Sequence, residues 1–110
     1  MAKLKINPQS GDKQSTKNIG FSIDNIKEDA PYRVRLENAT NNKPINISSS
    51  VDGYIYSNPE TKEIKGQADL NINDYESYSV AAIFASIETK QPDGSYKLNE
   101  IVSSVYQIAD

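Results

Sequence analysis

From residue 19 to the end of the chain, apolar side chains recur at every second position in short runs bounded by turn formers. No stretch of ten residues keeps a helical period. Ile19, Phe21 and Ile23 alternate with Gly20, Ser22 and Asp24, and Tyr32, Val34 and Leu36 alternate with Arg33, Arg35 and Glu37. Ile45, Ile47 and Val51 follow, then Tyr54-Ile55-Tyr56, then Ile64, Ala68, Leu70 and Ile72 against Lys65, Gln67, Asp69 and Asn71. Period two is the signature of half-buried strands, because successive side chains of an extended backbone point to opposite faces. Two longer strands are expected at about residues 77 to 89 and 95 to 108, joined by a tight turn over Lys90-Gln91-Pro92-Asp93-Gly94. Gly66, inside an alternating run, hints at a bulge or bend.

Seven or eight antiparallel strands with regular turns predict an all-β chain folded as a two-sheet sandwich. Residues 7 to 18 carry no large apolar side chain and read as a polar loop or arm, preceded by a short edge strand in which Leu4 and Ile6 alternate with Lys3 and Lys5. The expected organisation is therefore an N-terminal arm over 1 to 18 and a sandwich domain over 19 to 110.

Composition removes most chemistry. The chain has 110 residues, 15 acidic and 12 basic side chains, and no His, Cys or Trp. Without His or Cys, the thiol nucleophiles, the His-assisted triads and the usual zinc and haem ligands are missing. No nucleophile stands beside a plausible base and no glycine loop suits a phosphate, so no catalytic residue and no cofactor is assigned. A net charge of -3 gives no long-range attraction for nucleic acid, and no apolar run has the length of a signal peptide or a membrane span. Asp69, Asn71, Asn73, Asp74 and Glu76 cluster, but they lack a calcium-loop spacing and no metal is assigned. Arg33 and Arg35 suit an anion or, more commonly, cross-strand ion pairs. Asn38-Ala39-Thr40 and Asn46-Ile47-Ser48 match glycosylation acceptors, which a chain without a signal peptide gives no reason to use.

The run Ala68-Asp69-Leu70-Asn71-Ile72-Asn73-Asp74-Tyr75-Glu76-Ser77-Tyr78-Ser79-Val80-Ala81-Ala82 resembles the E-to-F region of immunoglobulin-like and fibronectin-type sandwiches. Tyr78, or alternatively Tyr75, matches their tyrosine corner, while the Cys pair and Trp of antibody domains are absent. That resemblance implies an immunoglobulin-like sandwich and leaves function open, since the architecture hosts many roles.

Strand 77 to 89 is apolar on both alternations. Tyr78, Val80, Ala82 and Phe84 are expected on the core side, leaving Ala81, Ile83, Ala85 and Ile87 on the other, with Ile101 and Val105 on the partner strand. Such a second face needs a cover. Either the chain supplies it, through a bulge, an edge loop or Leu4 and Ile6, or a protein partner or another copy of the chain does. The candidate partner-binding set is Leu4, Ile6, Ala81, Ile83, Ala85, Ile87, Ile101 and Val105. Tyr54 and Tyr56 form a second candidate, an aromatic pair suited to a sugar or to an interface.

A single sandwich with an arm, an apolar hairpin and no export signal is similar to small immunoglobulin-like virion proteins of tailed bacteriophages. The resemblance implies a non-enzymatic capsid-decorating, auxiliary or tail-associated protein in the virion, docking through its arm and one sheet face. The alternatives are a carbohydrate-binding or adhesion module at the bacterial cell surface, if a signal sequence was removed, and a small inhibitor of a host protein.

Overall fold

The computed structural model describes residues 1–12, 16–75 and 80–108. Its strands are β1 (Lys3–Asn7), β2 (Ser10–Gly11), β3 (Thr16–Asp24), β4 (Tyr32–Asn38), β5 (Pro44–Ile47), β6 (Ile55–Ser57), β7 (Ile64–Asn71), β8 (Val80–Lys90) and β9 (Tyr96–Ile108), with a 3-10 turn over Ile72–Tyr75. The protein is all-β. The alternation that predicted β4 is the alternation of its burial: Tyr32, Val34 and Leu36 are buried, and Arg33, Arg35 and Glu37 are half-buried on the outside.

The strands run in the order β1-β3-β7-β5-β4-β8-β9-β2, and β6 pairs with β4 beside this path. β5 joins the two halves, because Leu36 faces Ile45 at one of its ends and Ala68 faces Ile47 at the other. Among the described residues all strand pairings are antiparallel except that of β2 with β9, so the sheet is mixed. The two ends of the path, β1 and β2, are consecutive in the chain, and the sheet is nearly closed into a barrel; the Asn7-Pro8 bond between them is cis.

The expected polar arm is thus strapped onto the sheet. Lys3 to Asn7 pair with Asp24 to Gly20, Ser10 and Gly11 pair with Gln107 and Ile108, and β3 already starts at Thr16. Ala2, Leu4 and Ile6 enter the core with Ile19, Ile23, Leu70, Tyr106 and the inner residues of β8. Gly66 sits in an unbroken register rather than a bulge. A Cβ there would lie 2.9 Å from the Phe21 ring, so the core requires the missing side chain. The bulge is instead in the last hairpin, where Glu88 faces Leu98, Ile87 faces Glu100 and Asn99 is the extra residue.

The Lys90 to Ser95 turn forms as its sequence predicts. Gly94 takes φ 91°, Gln91 N–H donates to the Ser95 carbonyl at 2.7 Å, and Asp93 Oδ1 accepts from the Ser95 N–H at 2.9 Å. Tyr75 is buried, and its hydroxyl has no hydrogen-bond partner among the described residues; burial raises its pKa. Tyr78, the other corner position, lies outside the described residues.

Candidate functional site

The faces of β8 are the reverse of those expected. Ala81, Ile83, Ala85 and Ile87 are fully buried core residues, as are Leu4 and Ile6, so six of the eight candidate partner-binding residues lie inside the barrel. Both alternations of β8 are apolar, and pairing with β4 selects between them: Leu36 faces Ala85 and Val34 faces Ile87 toward the core. The cover this face needs is supplied from within the chain. Among the six are the two N-terminal side chains, Leu4 and Ile6, already named as one such cover.

Ile101 and Val105 do stand at the surface, 49 % and 45 % exposed, and Leu98, at 51 %, joins them. Register places Ile101 opposite Ser86, Val105 opposite Ala82, and Ser103 between them opposite Phe84. The result is an apolar stripe along the outer face of β9, continued on β8 by half-buried Phe84, Ala82 and Val80.

An aromatic-arginine cluster closes one end of this stripe. Arg33 extends from the outer face of β4, with its guanidinium carbon 3.9 Å from the Tyr54 ring centre and 4.2 Å from that of Tyr96. Its Nε donates to Glu88 Oε1 at 2.6 Å, and its Nη1 reaches the Tyr56 hydroxyl at 3.5 Å. Burial works against the Arg33 charge, but the bonds to Glu88 and Tyr56 outweigh it and raise its pKa. Tyr56 packs tilted on Tyr54 at 6.0 Å and edge-on to Tyr96 at 5.9 Å. Arg35 donates to the Tyr54 hydroxyl at 3.2 Å and pairs with Glu37 at 3.2 Å. Stacking, cation-π contact and ion pairing together hold these side chains in one arrangement.

Tyr54 and Tyr56 therefore share one cluster, with the guanidinium of Arg33 over the Tyr54 ring and Tyr56 46 % exposed at the edge. Tyr96 was not among the candidates, and no local signal marks it, since it is brought to Arg33 only by the β8 to β9 pairing. Both arginines are spent on cross-strand or neighbouring carboxylates, so the face is close to neutral.

The acidic and amide group near the corner is also internally committed. Asp69 accepts from Asn18 at 3.0 Å and Asn46 at 3.3 Å, Asn71 Oδ1 accepts from the Asn73 N–H, and Asp74 lies 3.7 Å from the Lys43 amine. Glu76 lies outside the described residues. Among the described residues no three His, Cys, Asp or Glu side chains are grouped to hold a metal, and no helix is long and apolar enough to cross a membrane. Asn38 of the first glycosylation match is buried, with its Oδ1 accepting from the Thr40 N–H at 2.7 Å, whereas Asn46 of the second is exposed.

On the other flank of the hairpin, Glu28 is buried beside the β9 bulge. Asn99 Nδ2 donates to both carboxylate oxygens, at 2.7 and 2.9 Å. Burial pushes the Glu28 pKa up, the Asn99 bond opposes that, and the charges of Glu100 and Asp29 add to it. Compared with protein-family models, curated proteins and solved structures, the chain matches none of them.

Proposed function

We propose that the chain is a non-enzymatic binding protein that docks on a protein surface through the outer face of β4, β8 and β9. The observation that carries this reading is the row Leu98, Ile101 and Val105, three large aliphatic side chains about half exposed beside a preassembled Arg33, Tyr54, Tyr56 and Tyr96 cluster. Tyr and Arg anchors next to aliphatic area are the composition of interface cores, and side chains already ordered lose little freedom on binding. The internal ion pairs leave the face without a strong charge, which favours shape and apolar contact over steering.

We further propose the immunoglobulin-like class for the fold. Supporting it are the pairing of β3 with β7 and of β4 with β8, and the split of the first strand between β3 on one side and β9 on the other. A component of a phage particle is the setting we propose, and it rests on that likeness. There, weak contacts repeated over a lattice add up to firm attachment.

Sedimentation of a lysate from the native source tests this. The chain is expected to travel with a large particle. The Leu98→Ser/Ile101→Ser/Val105→Ser variant should stay at the top of the gradient with an unchanged melting temperature. Wild-type chain at the top, or a variant that sediments like wild type, would overturn the reading.

A further inference from the structure

Strands β1, β3 and β7 form an open groove of about 870 Å³ that reaches Ser104 of β9 at one edge and includes none of Leu98, Ile101 and Val105. Its floor is set by Gly20, where an added Cβ would stand 3.2 Å from the Asn7 carbonyl oxygen and 3.5 Å from the Gln67 amide nitrogen. Register lays the lining out in rows: Lys5, Ser22 and Lys65 face one another across three strands, and Asn7, Gly20 and Gln67 form the next row.

The chain as a whole is acidic, yet among the described residues the groove is lined by Lys3, Lys5 and Lys65 and by no carboxylate. Two of them pair with carboxylates outside the lining, Lys5 with Asp24 at 3.0 Å and Lys65 with Glu63 at 3.5 Å, and Asp24 is also the register partner of Lys3. Unlike the arginines, the Lys5 and Lys65 side chains stay 58 % and 72 % exposed, where such pairs are weak and exchange readily for a ligand. Lys3 makes no ion pair among the described residues. Neighbouring strands lie about 4.8 Å apart, so the backbones of Lys5 and Lys65 are separated by roughly 10 Å. Charges so dispersed suit anionic groups repeated along a ligand better than one phosphate. Between them stand a hydroxyl and side-chain amides, the partners of sugar hydroxyls. Among the described residues Phe21 is the only aromatic one in the lining and its ring is in the core, so these residues offer no platform for stacking a nucleobase.

We propose that this groove binds an acidic oligosaccharide, with Lys3, Lys5 and Lys65 on its carboxylates and Ser22, Asn7 and Gln67 on its hydroxyls. The site is separate from the docking face and stands whether or not that face has a partner.

Amide NMR titration of the full chain with a galacturonate hexasaccharide at low salt tests it, with a neutral glucose hexasaccharide, inorganic phosphate and a hexaglutamate peptide in parallel. Saturable shifts are expected at Lys5, Ser22, Lys65 and Gln67 with the acidic sugar, fading as salt is added. The Lys3→Gln/Lys65→Gln variant should bind about tenfold more weakly, while Leu98→Ser should titrate like wild type. The proposal is overturned if the acidic sugar gives no saturable shifts, if any of the three other probes binds as well, or if the double variant keeps its affinity.

Discussion

The two faces of the β8 to β9 hairpin contain similar residues and have opposite fates. Inward, Ala81, Ile83, Ala85 and Ile87 are fully buried in one core with Leu4, Ile6, Val34, Leu36 and Tyr106, and outward, Ile101, Val105 and Leu98 remain about half exposed. Hydrophobicity alone does not separate them; what does is the register with β4. An apolar residue enclosed by its own chain contributes to stability. One left at the surface beside an ordered Arg and Tyr cluster is available for binding.

The contrast breaks most visibly from the inside. Ile83→Ala should cost about 2–5 kcal/mol in urea unfolding, the range for a large-to-small change at a fully enclosed site. A loss no greater than that of an exposed position would mean the inner face is not the core. Arg33→Ala removes the stack between Tyr54 and Tyr96 and leaves Glu88 without its partner, at about 1–3 kcal/mol. Loosening of β6 should appear in hydrogen exchange at Ile55 to Ser57. An unchanged stability would show the cluster to be loosely held.

Glu28 sharpens the comparison at the hairpin's flank. Because its folded pKa is raised, the native state binds the proton more tightly than the unfolded chain does. Its stabilising effect is therefore complete below the ordinary value of 4.5 and is lost as pH rises through the raised one. Glu28→Gln should leave the chain as stable or more stable at neutral pH and flatten the pH dependence of its melting temperature just above the ordinary carboxylate range. A variant that loses stability at neutral pH would indicate that the charged carboxylate is favoured where it stands. The smallest effect belongs to Ile101→Ser, which should change unfolding by less than about 0.5 kcal/mol.

Much of this fold was legible in the chain. β3, β4 and β7 bury the residues their alternation nominates, and Pro92-Asp93-Gly94 makes its turn. The faces of β8 are not legible in the chain, because Val80, Ala82 and Phe84 are as apolar as the residues opposite, so period two gives two equal answers and only tertiary pairing decides. The bulge at Asn99 carries no local mark, since neither Gly nor Pro signals it. Residues 9 to 11 are polar enough to read as part of an arm, yet they are held by backbone pairing with β9, which needs no apolar side chain. The outer site was legible in fragments, Arg33 with Arg35 and Tyr54 with Tyr56. The contact of Arg33 with Tyr96 spans three strands and appears only once they are assembled.

Because the chain contains no cysteine, a single introduced thiol reports on one position alone. In Val105→Cys that thiol should react quickly with a water-soluble maleimide in the isolated protein and be protected in the particle-bound fraction, while Ile83→Cys stays unreactive in both. Equal reactivity of Val105→Cys in the two fractions would contradict docking through the outer face of the last hairpin.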